Sequence, residues 1–439
     1  MLLKSILLIQ VIVCTAAAAV EIPTPATYES GHFLCEQKYA NLVAQEKGFY
    51  VTVPNDYKNP ASGTTEVYAF AQGNFNPSQE SMIYFSGGPG IPAHWGLFPS
   101  ELDTGFNVII MEQRGVGCSR PASFEQYLNP GFYSAEAVAR DAEAIRKFLK
   151  IKIWSVYGIS YGTAPATIYA SLFPQATRAL VLEGTIASGQ NVVWEAPHRR
   201  KILQKMLNSL HAKIRERMEQ VVGVYLQPDI WFSRLTREML MENDGLAKLK
   251  SKLLALEDPK NFEELIKKVK DMFAPLTYTP HVLFLMNDVP YYMNLCREFS
   301  YTNEALVVYD VLIGAQLVPS IDRESIDDCK SLKAAPTKIF EATDYPVTAP
   351  VTYFQGSDDS ATAATEAILH YKTVSKGPRQ LLILVRGGHS PNLTYIRNQV
   401  AGQKEMFFQA LRGQAITPEM VERARQNQSL RWTYTSKNF

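Results

Sequence analysis

The sequence is poor in cysteine and carries almost no net charge. Five cysteines among 439 residues exclude a small disulfide-rich domain. The 44 basic and 43 acidic side chains give a formal net charge of +1. Because no block of like charge departs from this balance, nothing predicts a nucleic acid or an acidic polymer as partner.

Long apolar runs, repeats and metal-ligand clusters are also lacking. No segment reaches the roughly 20 apolar residues that a membrane-spanning helix needs. No group of His, Cys, Asp and Glu has the spacing of metal ligands, so we expect neither a metal nor an organic cofactor. The chain is long enough for one large domain with an insertion, or for two domains.

The N-terminal residues have the pattern of an export signal. Lys4 precedes an apolar run from Ile6 to Val13, and a string of alanines supplies a cleavage site near Ala19. We therefore expect a signal peptide over residues 1–19, a secreted or periplasmic mature protein, and no membrane attachment after cleavage. A membrane anchor is the alternative, but the run is short for a bilayer span.

Removal of the signal peptide would leave an even number of cysteines: Cys35, Cys118, Cys296 and Cys329. In an oxidising compartment such a set predicts two disulfides, with buried free thiols as the alternative. Four cysteines allow three pairings, and composition does not choose among them.

Short apolar runs alternate with helical patterns in two separate parts of the chain. In the first part, strands are predicted at 49–53, 66–72, 82–86, 106–111, 153–158 and 178–184, and a helix over 134–149. In the second part, strands are predicted at 350–356 and 380–385, with a helix around 362–375 and a last helix before a polar tail. This alternation predicts an α/β fold, a mostly parallel sheet with helices on both faces.

The pattern between residues 188 and 344 is different. Long charged amphipathic stretches replace the strands there, which predicts a helical insertion. We therefore expect a core formed by residues 20–187 and 345–439, with a helical cap over 188–344.

The segment Gly158-Ile-Ser160-Tyr-Gly162 is the first candidate for chemistry. In a G-x-S-x-G turn, a nucleophilic serine sits in a strained conformation between a strand and a helix, and the glycines leave room for the turn. An apolar strand enters this segment and a helical pattern leaves it, as that role requires. We expect Ser160 to be the nucleophile.

A serine nucleophile needs a base and a carboxylate that orients the base. In this fold the chain order is serine, acid, histidine. His389 follows a predicted strand in a Gly-rich loop, and Asp358 and Asp359 follow the preceding strand. Either aspartate could serve as the acid, since one of them could instead cap the next helix.

A loop after the strand at 82–86 is suited to stabilise an oxyanion. Residues 86–90 read Ser-Gly-Gly-Pro-Gly, so their backbone can approach a substrate closely. We expect the N–H groups of Gly88 and Tyr161 to be the donors. An ordinary Gly-Pro turn is the alternative.

Together these motifs resemble the α/β-hydrolase serine aminopeptidases related to prolyl aminopeptidase, and more closely their secreted tripeptidyl aminopeptidase branch. The resemblance covers both α/β parts and is thin across the insertion. It is carried by TVPNDYKNP at 52–60, SGGPG at 86–90, MEQRGVGCSRP at 111–121, the stretch 158–184, GSDDSAT at 356–362 and GGH at 387–389.

The resemblance implies an α/β-hydrolase fold and further roles for single residues. The family pattern G-x-x-D-x-x-T selects Asp359 as the acid, and a Cys-x-acid segment of such caps implies a Cys296–Cys329 disulfide. The same segment makes Glu298 a candidate anchor for the substrate's free α-amine, with a solvated glutamate as the alternative. Ser86 and Glu112 depart from the family's His and Asp, which puts fine substrate preference in doubt but not the chemistry.

The sequence thus predicts an exported serine exopeptidase that acts on peptides with a free N-terminus through an acyl-Ser160 intermediate. A carboxylesterase on the same scaffold is the first alternative, because the same residues serve esters. A non-catalytic binding protein of hydrolase fold is the second. Peptide length, side-chain preference and oligomeric state stay open.

Overall fold

The computed structural model describes residues 48–92, 105–191, 241–255, 288–299, 329–425 and 431–439, with single positions between 208 and 267. One nine-stranded sheet is its central element. The strands are β1 (Phe49–Pro54), β2 (Thr64–Gln72), β3 (Ser81–Phe85), β4 (Asn107–Met111), β5 (Trp154–Ile159), β6 (Thr177–Glu183), β7 (Val351–Gly356), β8 (Arg379–Leu384) and β9 (Trp432–Lys437).

The strand order in the sheet is β1-β2-β4-β3-β5-β6-β7-β8-β9. The six strands from β4 to β8 in this order run parallel, whereas β1, β2 and β9 pair antiparallel with their neighbours. β5 and β7 are buried at every position, as central strands with both faces covered must be. The predicted α/β-hydrolase fold, with its mostly parallel sheet, is confirmed.

Nine α-helices lie within the described residues. They are α1 (Phe124–Tyr127), α2 (Ala135–Phe148), α3 (Thr163–Leu172), α4 (Gly245–Leu254), α5 (Asp288–Glu298), α6 (Ala364–Thr373), α7 (Pro391–Arg397), α8 (Gln403–Leu411) and α9 (Pro418–Arg425). α2 is the helix predicted over 134–149, and its N-cap is Ser134, whose hydroxyl accepts the N–H of Ala137 at 3.0 Å.

The helices cover the sheet on both faces. α2, α3 and α6 contribute Ala139, Ala166 and Ala367 to one core. α7, α8 and α9 contribute Leu393, Met406 and Val421 to the core on the other face. Alanines on α2 and α3 let these two helices pack closely, since an alanine side chain adds little bulk between one helix backbone and the other.

The C-terminal prediction is wrong in part. Three helices, α7 to α9, stand where one last helix was expected, and part of the polar tail forms β9. β9 pairs with β8 from Arg379 opposite Lys437 to Leu384 opposite Trp432. Trp432 is buried, but the rest of β9 is polar and mostly exposed at the sheet edge, so apolar periodicity gave no strand signal there.

A buried ion pair joins the turn after β4 to α2. Arg114 donates to the two carboxylate oxygens of Asp141 at 2.6 and 2.8 Å, and both side chains are at most 1% exposed. Arg114 also donates to the backbone oxygens of Asn55 at 2.9 Å and Phe132 at 3.1 Å. The Tyr57 hydroxyl donates to Asp141 at 2.8 Å. The pair therefore fastens the end of β1 and the loop before α2 to the core.

A second buried network surrounds His370 on α6. Its Nδ1 lies 2.7 Å from the Tyr353 hydroxyl, and its Nε2 lies 3.1 Å from the Thr167 hydroxyl. Burial lowers the pKa of His370 to about 3. The imidazole is therefore neutral in the native state at all but acidic pH, and it links β7, α6 and α3.

The predicted cap is described only in pieces. α4, α5 and residues 329–344 belong to it, and the predicted Cys296–Cys329 disulfide joins α5 to the last of these. Cys118 is also disulfide-bonded, whereas Cys35 and the predicted signal peptide lie outside the described residues. The domain boundaries at 188 and 344 stay predictions. Across the described ranges, every helix is too short or too polar to cross a membrane.

The Arg114–Asp141 pair leads to a stability prediction. Asp141→Asn should lower the free energy of unfolding by about 3–5 kcal/mol, because it leaves a buried guanidinium without its counter-charge. Urea denaturation followed by circular dichroism measures the change. Glu405→Gln is the control, since Glu405 pairs with Arg423 on the surface at 2.7 Å and such pairs contribute about 1 kcal/mol or less. Equal losses in the two variants would contradict the role of the buried pair.

The His370 network leads to a pH prediction. Burial lowers the pKa of His370 in the native state. In the unfolded chain this side chain is protonated below about pH 6.5, whereas in the folded chain it is protonated only below about pH 3. Stability contributed by neutral His370 is thus present above pH 6.5 and is lost at ~1.4 kcal/mol per pH unit as the pH falls. His370→Gln should flatten the dependence of the unfolding free energy on pH between 7 and 5. An unchanged slope would contradict the prediction.

Candidate active site

Ser160 occupies a sharp turn between β5 and α3. Its φ is 55°, in the left-handed region, and the residue is only 6% exposed. A Cβ on Gly158 would lie 2.5 Å from the Gly162 oxygen, and one on Gly162 would lie 2.2 Å from the Phe85 oxygen. Both glycines are therefore required, because the turn closes on its own backbone and on the end of β3.

The candidate site lies where neighbouring parallel strands end. β3 leads into the loop 86–90, β5 into Ser160, β6 into Gly184, β7 into the loop of Asp359 and β8 into the loop of His389. The carboxyl ends of parallel strands meet at one edge of a sheet, which is where open α/β sheets bind ligands. The topology thus gathers at one edge the segments that hold the predicted triad.

Asp359 and His389 are in direct contact. The imidazole Nδ1 lies 2.9 Å from both carboxylate oxygens, and the residues are 1% and 5% exposed. The carboxylate also accepts the N–H groups of Ala361 and Thr362, the Thr362 hydroxyl at 2.8 Å and the Gln355 side-chain amide at 3.0 Å. Burial alone would raise the pKa of Asp359, but the charge and hydrogen bond of His389 and the Thr362 donors hold it below its ordinary value. The acid is therefore ionised at neutral pH.

Asp358 has a different environment. Its carboxylate accepts the Ser357 hydroxyl at 2.7 Å, and its N–H donates to the Gly387 oxygen at 2.9 Å. Its hydrogen bonds thus connect the two loops after β7 and β8, while the neighbouring Asp359 meets the imidazole. Sequence reasoning missed Gln355, whose side-chain amide donates to Asp359. The Thr of the family pattern is Thr362, which also donates to Asp359.

The His389 loop is held by closely packed backbone. A Cβ on Gly388 would lie 2.3 Å from the Met241 oxygen, and the His389 N–H donates to that oxygen at 2.9 Å. The Gly388 N–H donates to the Asn243 side chain at 3.0 Å. A segment of the predicted cap therefore lies directly on the loop. On the imidazole itself, Gly184 packs so closely that a Cβ there would be 2.9 Å from the His389 Cε1.

The loop 86–90 packs against the nucleophile turn. A Cβ on Gly87 would lie 3.1 Å from the Ser160 Cβ, and Gly88 has a φ of 109° that favours glycine. The Gln113 side chain fixes the start of the loop by donating to the Ser86 backbone oxygen at 2.9 Å. Ser86 stands where the family has His, and its hydroxyl also accepts the Gln113 side-chain amide at 3.3 Å. The donor roles of the Gly88 and Tyr161 N–H groups stay predictions.

The side chain of Tyr161 points to α5, a helix of the predicted cap. Its hydroxyl donates to the Asn294 side-chain oxygen at 3.1 Å, and its ring lies edge-on to Phe299 at 5.6 Å between centroids. The residue is 2% exposed, and burial raises its pKa well above the ordinary value. Tyr161 is therefore a neutral donor. Because it directly follows Ser160, its side chain ties the chain next to Ser160 to α5.

Glu298, the predicted amine anchor, lies at the N-terminus of α2. Its carboxylate accepts the Ala135 N–H at 2.9 Å, and burial raises its pKa to about 7. It lines a cavity of about 360 Å3 together with Tyr57, Arg140 and Phe340. Its role as an anchor stays a prediction. Among the described residues, no group of three or more His, Cys, Asp and Glu side chains could hold a metal ion.

Comparison with known proteins places residues 80–219 in the family of the α/β hydrolase fold. A proline iminopeptidase of Aspergillus aculeatus is 29% identical over 156 residues, 30% of this chain and 35% of that protein. The proline iminopeptidase of Neisseria meningitidis serogroup A is 31% identical over 157 residues, 34% of this chain and 48% of that protein.

These curated relatives are matched over about a third to a half of their own length. Among solved structures, the proline iminopeptidase of Mycobacterium smegmatis is 16% identical with a TM-score of 0.44, covering 86% of this chain and 99% of that one. Proline iminopeptidase is another name for prolyl aminopeptidase. The chain thus has the α/β-hydrolase fold and is similar, over about a third of its length, to proline iminopeptidases.

Proposed function

We propose that this protein is an exported serine exopeptidase that releases N-terminal residues or short peptides from peptide substrates. One observation carries the proposal: His389 contacts Asp359 at the sheet edge to which β5 delivers Ser160 on a left-handed turn. The relatives that are proline iminopeptidases support peptide substrates. The Cys296–Cys329 disulfide supports export, because disulfides persist in oxidising compartments.

In this mechanism the Ser160 hydroxyl attacks the carbonyl carbon of the scissile bond. His389 accepts the hydroxyl proton, and the ionised Asp359 holds the imidazole in the tautomer that carries its proton on Nδ1. The tetrahedral intermediate collapses to an acyl-Ser160 ester as His389 protonates the leaving amine. Water activated by the same imidazole then releases the N-terminal fragment and restores Ser160.

The negative charge of the intermediate needs donors that are already in place. The Gly88 and Tyr161 N–H groups are assigned to this role because one belongs to the loop packed on Ser160 and the other follows Ser160 directly. Tyr161 is fixed by Asn294 on α5 and by Phe299 directly after that helix, so its backbone is held without relying on the substrate.

The requirement for a free N-terminus is assigned to acidic residues of the cap, with Glu298 as the first candidate. A carboxylate that meets the substrate's ammonium in a partly desolvated pocket would make a strong charge-assisted contact. The raised pKa of Glu298, about 7, means that this side chain gains its charge only near neutral pH.

The deciding experiment compares peptide arylamides that differ only in N-terminal acetylation. We expect acetylation to lower kcat/KM by at least tenfold, because it removes the ammonium charge and adds bulk where an exopeptidase pocket closes. Small neutral esters serve as the control. Their turnover should be unaffected by Glu298→Gln, a variant that keeps an acceptor for the Ala135 N–H. Equal cleavage of free and acetylated peptides would overturn the exopeptidase assignment in favour of an endopeptidase or a carboxylesterase.

Removal of the nucleophile should abolish turnover in a folded protein. Ser160→Ala should reduce kcat by several orders of magnitude, because only binding and oxyanion stabilisation would remain. Labelling by a fluorophosphonate, followed by mass spectrometry, should modify Ser160 in the parent and fail in the variant. Near-parental turnover by Ser160→Ala would contradict the mechanism.

The two adjacent aspartates provide a matched pair for the acid. Asp359→Asn should lower kcat by about 10²–10⁴-fold, because the amide no longer fixes the imidazole tautomer. Asp358→Asn should change kcat far less, since its carboxylate meets Ser357 and not His389. Steady-state kinetics on one ester substrate measures both. Equal losses, or a reversed order, would show that the acid has been assigned to the wrong residue.

A further inference from the structure

Glu183 is a buried carboxylate at the end of β6, and the mechanism above does not use it. The side chain is 0% exposed. One of its oxygens accepts the N–H groups of Asn392 and Leu393 at 2.7 and 3.1 Å. The other accepts the Tyr157 hydroxyl and lies 3.3 Å from the Asn392 side-chain nitrogen. Glu183 thus bonds to two segments that are remote in sequence.

Each of these segments adjoins a residue of the proposed triad. Tyr157 lies on β5, three positions before Ser160. Asn392 and Leu393 form the first turn of α7, which begins two positions after His389. One carboxylate therefore spans the distance between the strand of the nucleophile and the helix that follows the base.

The residue after Glu183 also touches the base. Gly184 has a φ of 61°, and a Cβ at this position would lie 2.9 Å from the His389 Cε1 and 3.1 Å from its Nδ1. The end of β6 therefore fixes the imidazole from two sides, through packing at Gly184 and through the hydrogen bonds that α7 donates to Glu183. Any shift of β6 relative to α7 would move the imidazole against Ser160.

The chemistry of these contacts favours a geometric role over a purely stabilising one. The named donors are a hydroxyl, two backbone N–H groups and an amide, and none of them is a cation. Burial raises the pKa of Glu183 to about 7 even though these donors lower it. A buried carboxylate without a counter-charge is a weak source of stability, whereas its fixed hydrogen bonds define the relative position of the groups that make them.

We propose that Glu183 is a positioning residue that holds the His389 loop in register with the strand that delivers Ser160. The proposal rests on the hydrolytic mechanism proposed above. Asn392 extends the same network, because its side-chain oxygen accepts the Gln403 amide at 2.6 Å and so anchors α7 to α8.

The test uses Glu183→Gln in the full chain. The amide keeps the volume and one oxygen for the backbone N–H groups, but its nitrogen meets the Asn392 amide, which is also a donor. We expect kcat for an acetate ester and the rate constant for fluorophosphonate labelling of Ser160 to fall at least tenfold, with KM changed less than twofold. Tyr157→Phe, which removes only the hydroxyl on β5, should lower the labelling rate in the same direction.

Glu143→Gln is the matched control. Glu143 is a buried carboxylate that also accepts a tyrosine hydroxyl, that of Tyr169 at 2.9 Å, but it joins α2 to α3 and pairs with Arg146. Its replacement should lower the melting temperature while kcat and the labelling rate stay within twofold of the parent. This separates a loss of register from a general loss of stability.

The outcomes distinguish the two proposals. If the parent is labelled at Ser160 and folded Glu183→Gln is labelled equally fast, the positioning role alone is overturned. Should Glu183→Gln fail to fold, Tyr157→Phe decides by the same rate, and parental labelling by that variant overturns the role. A parent that neither turns over esters nor reacts at Ser160 overturns the hydrolytic mechanism, and the positioning role with it.

Discussion

The closed turn at Ser160 is the steric constraint on which the site depends. Atoms of β3 and of α3 lie so close to the α-carbons of Gly158 and Gly162 that no Cβ fits at either position. The chain can pass from β5 into α3 only if the residue between them takes a left-handed conformation, as Ser160 does. Strain at this one residue is maintained by packing around it. The hydroxyl is thereby held at the sheet edge where the other loops end.

The carboxylates of Asp359, Glu183 and Glu298 differ in pKa because their partners differ. At Asp359, the charge and hydrogen bond of His389 and the two donors of Thr362 outweigh the effect of burial and lower the pKa. Glu183 and Glu298 have uncharged donors in direct contact, and burial raises the pKa of each to about 7. Burial alone therefore does not identify the acid of a triad. Asp359 differs from the other two carboxylates in bonding to an imidazole, which can carry a positive charge.

Described segments of the predicted cap also contact the candidate site. Met241 and Asn243 accept the backbone N–H groups of His389 and Gly388 from outside the core. On the other side of Ser160, Asn294 accepts the Tyr161 hydroxyl, and the Cys296–Cys329 disulfide ties that helix to residues 329–344. The predicted cap thus contacts both the loop of His389 and Tyr161, the residue after Ser160. The position of these cap segments and the geometry of the site therefore depend on each other.

The sequence by itself determined the fold class, the sharp turn at Ser160 and the loop of His389. Each depends on local spacing: apolar runs between helical patterns, glycines two positions on either side of Ser160, and a Gly-Gly-His after a strand. It also selected Asp359 over Asp358 through a motif register, and the contact with His389 agrees with that choice. β9 was missed because its residues are polar and its pairing partner, β8, lies far back in the chain. Only the tertiary structure showed that Glu183 meets Tyr157 and Asn392, that Glu298 caps α2, and that Arg114 pairs with Asp141. Such contacts join residues that are remote in sequence, and a carboxylate at a strand end has the same local pattern whether it binds solvent, a helix terminus or an arginine.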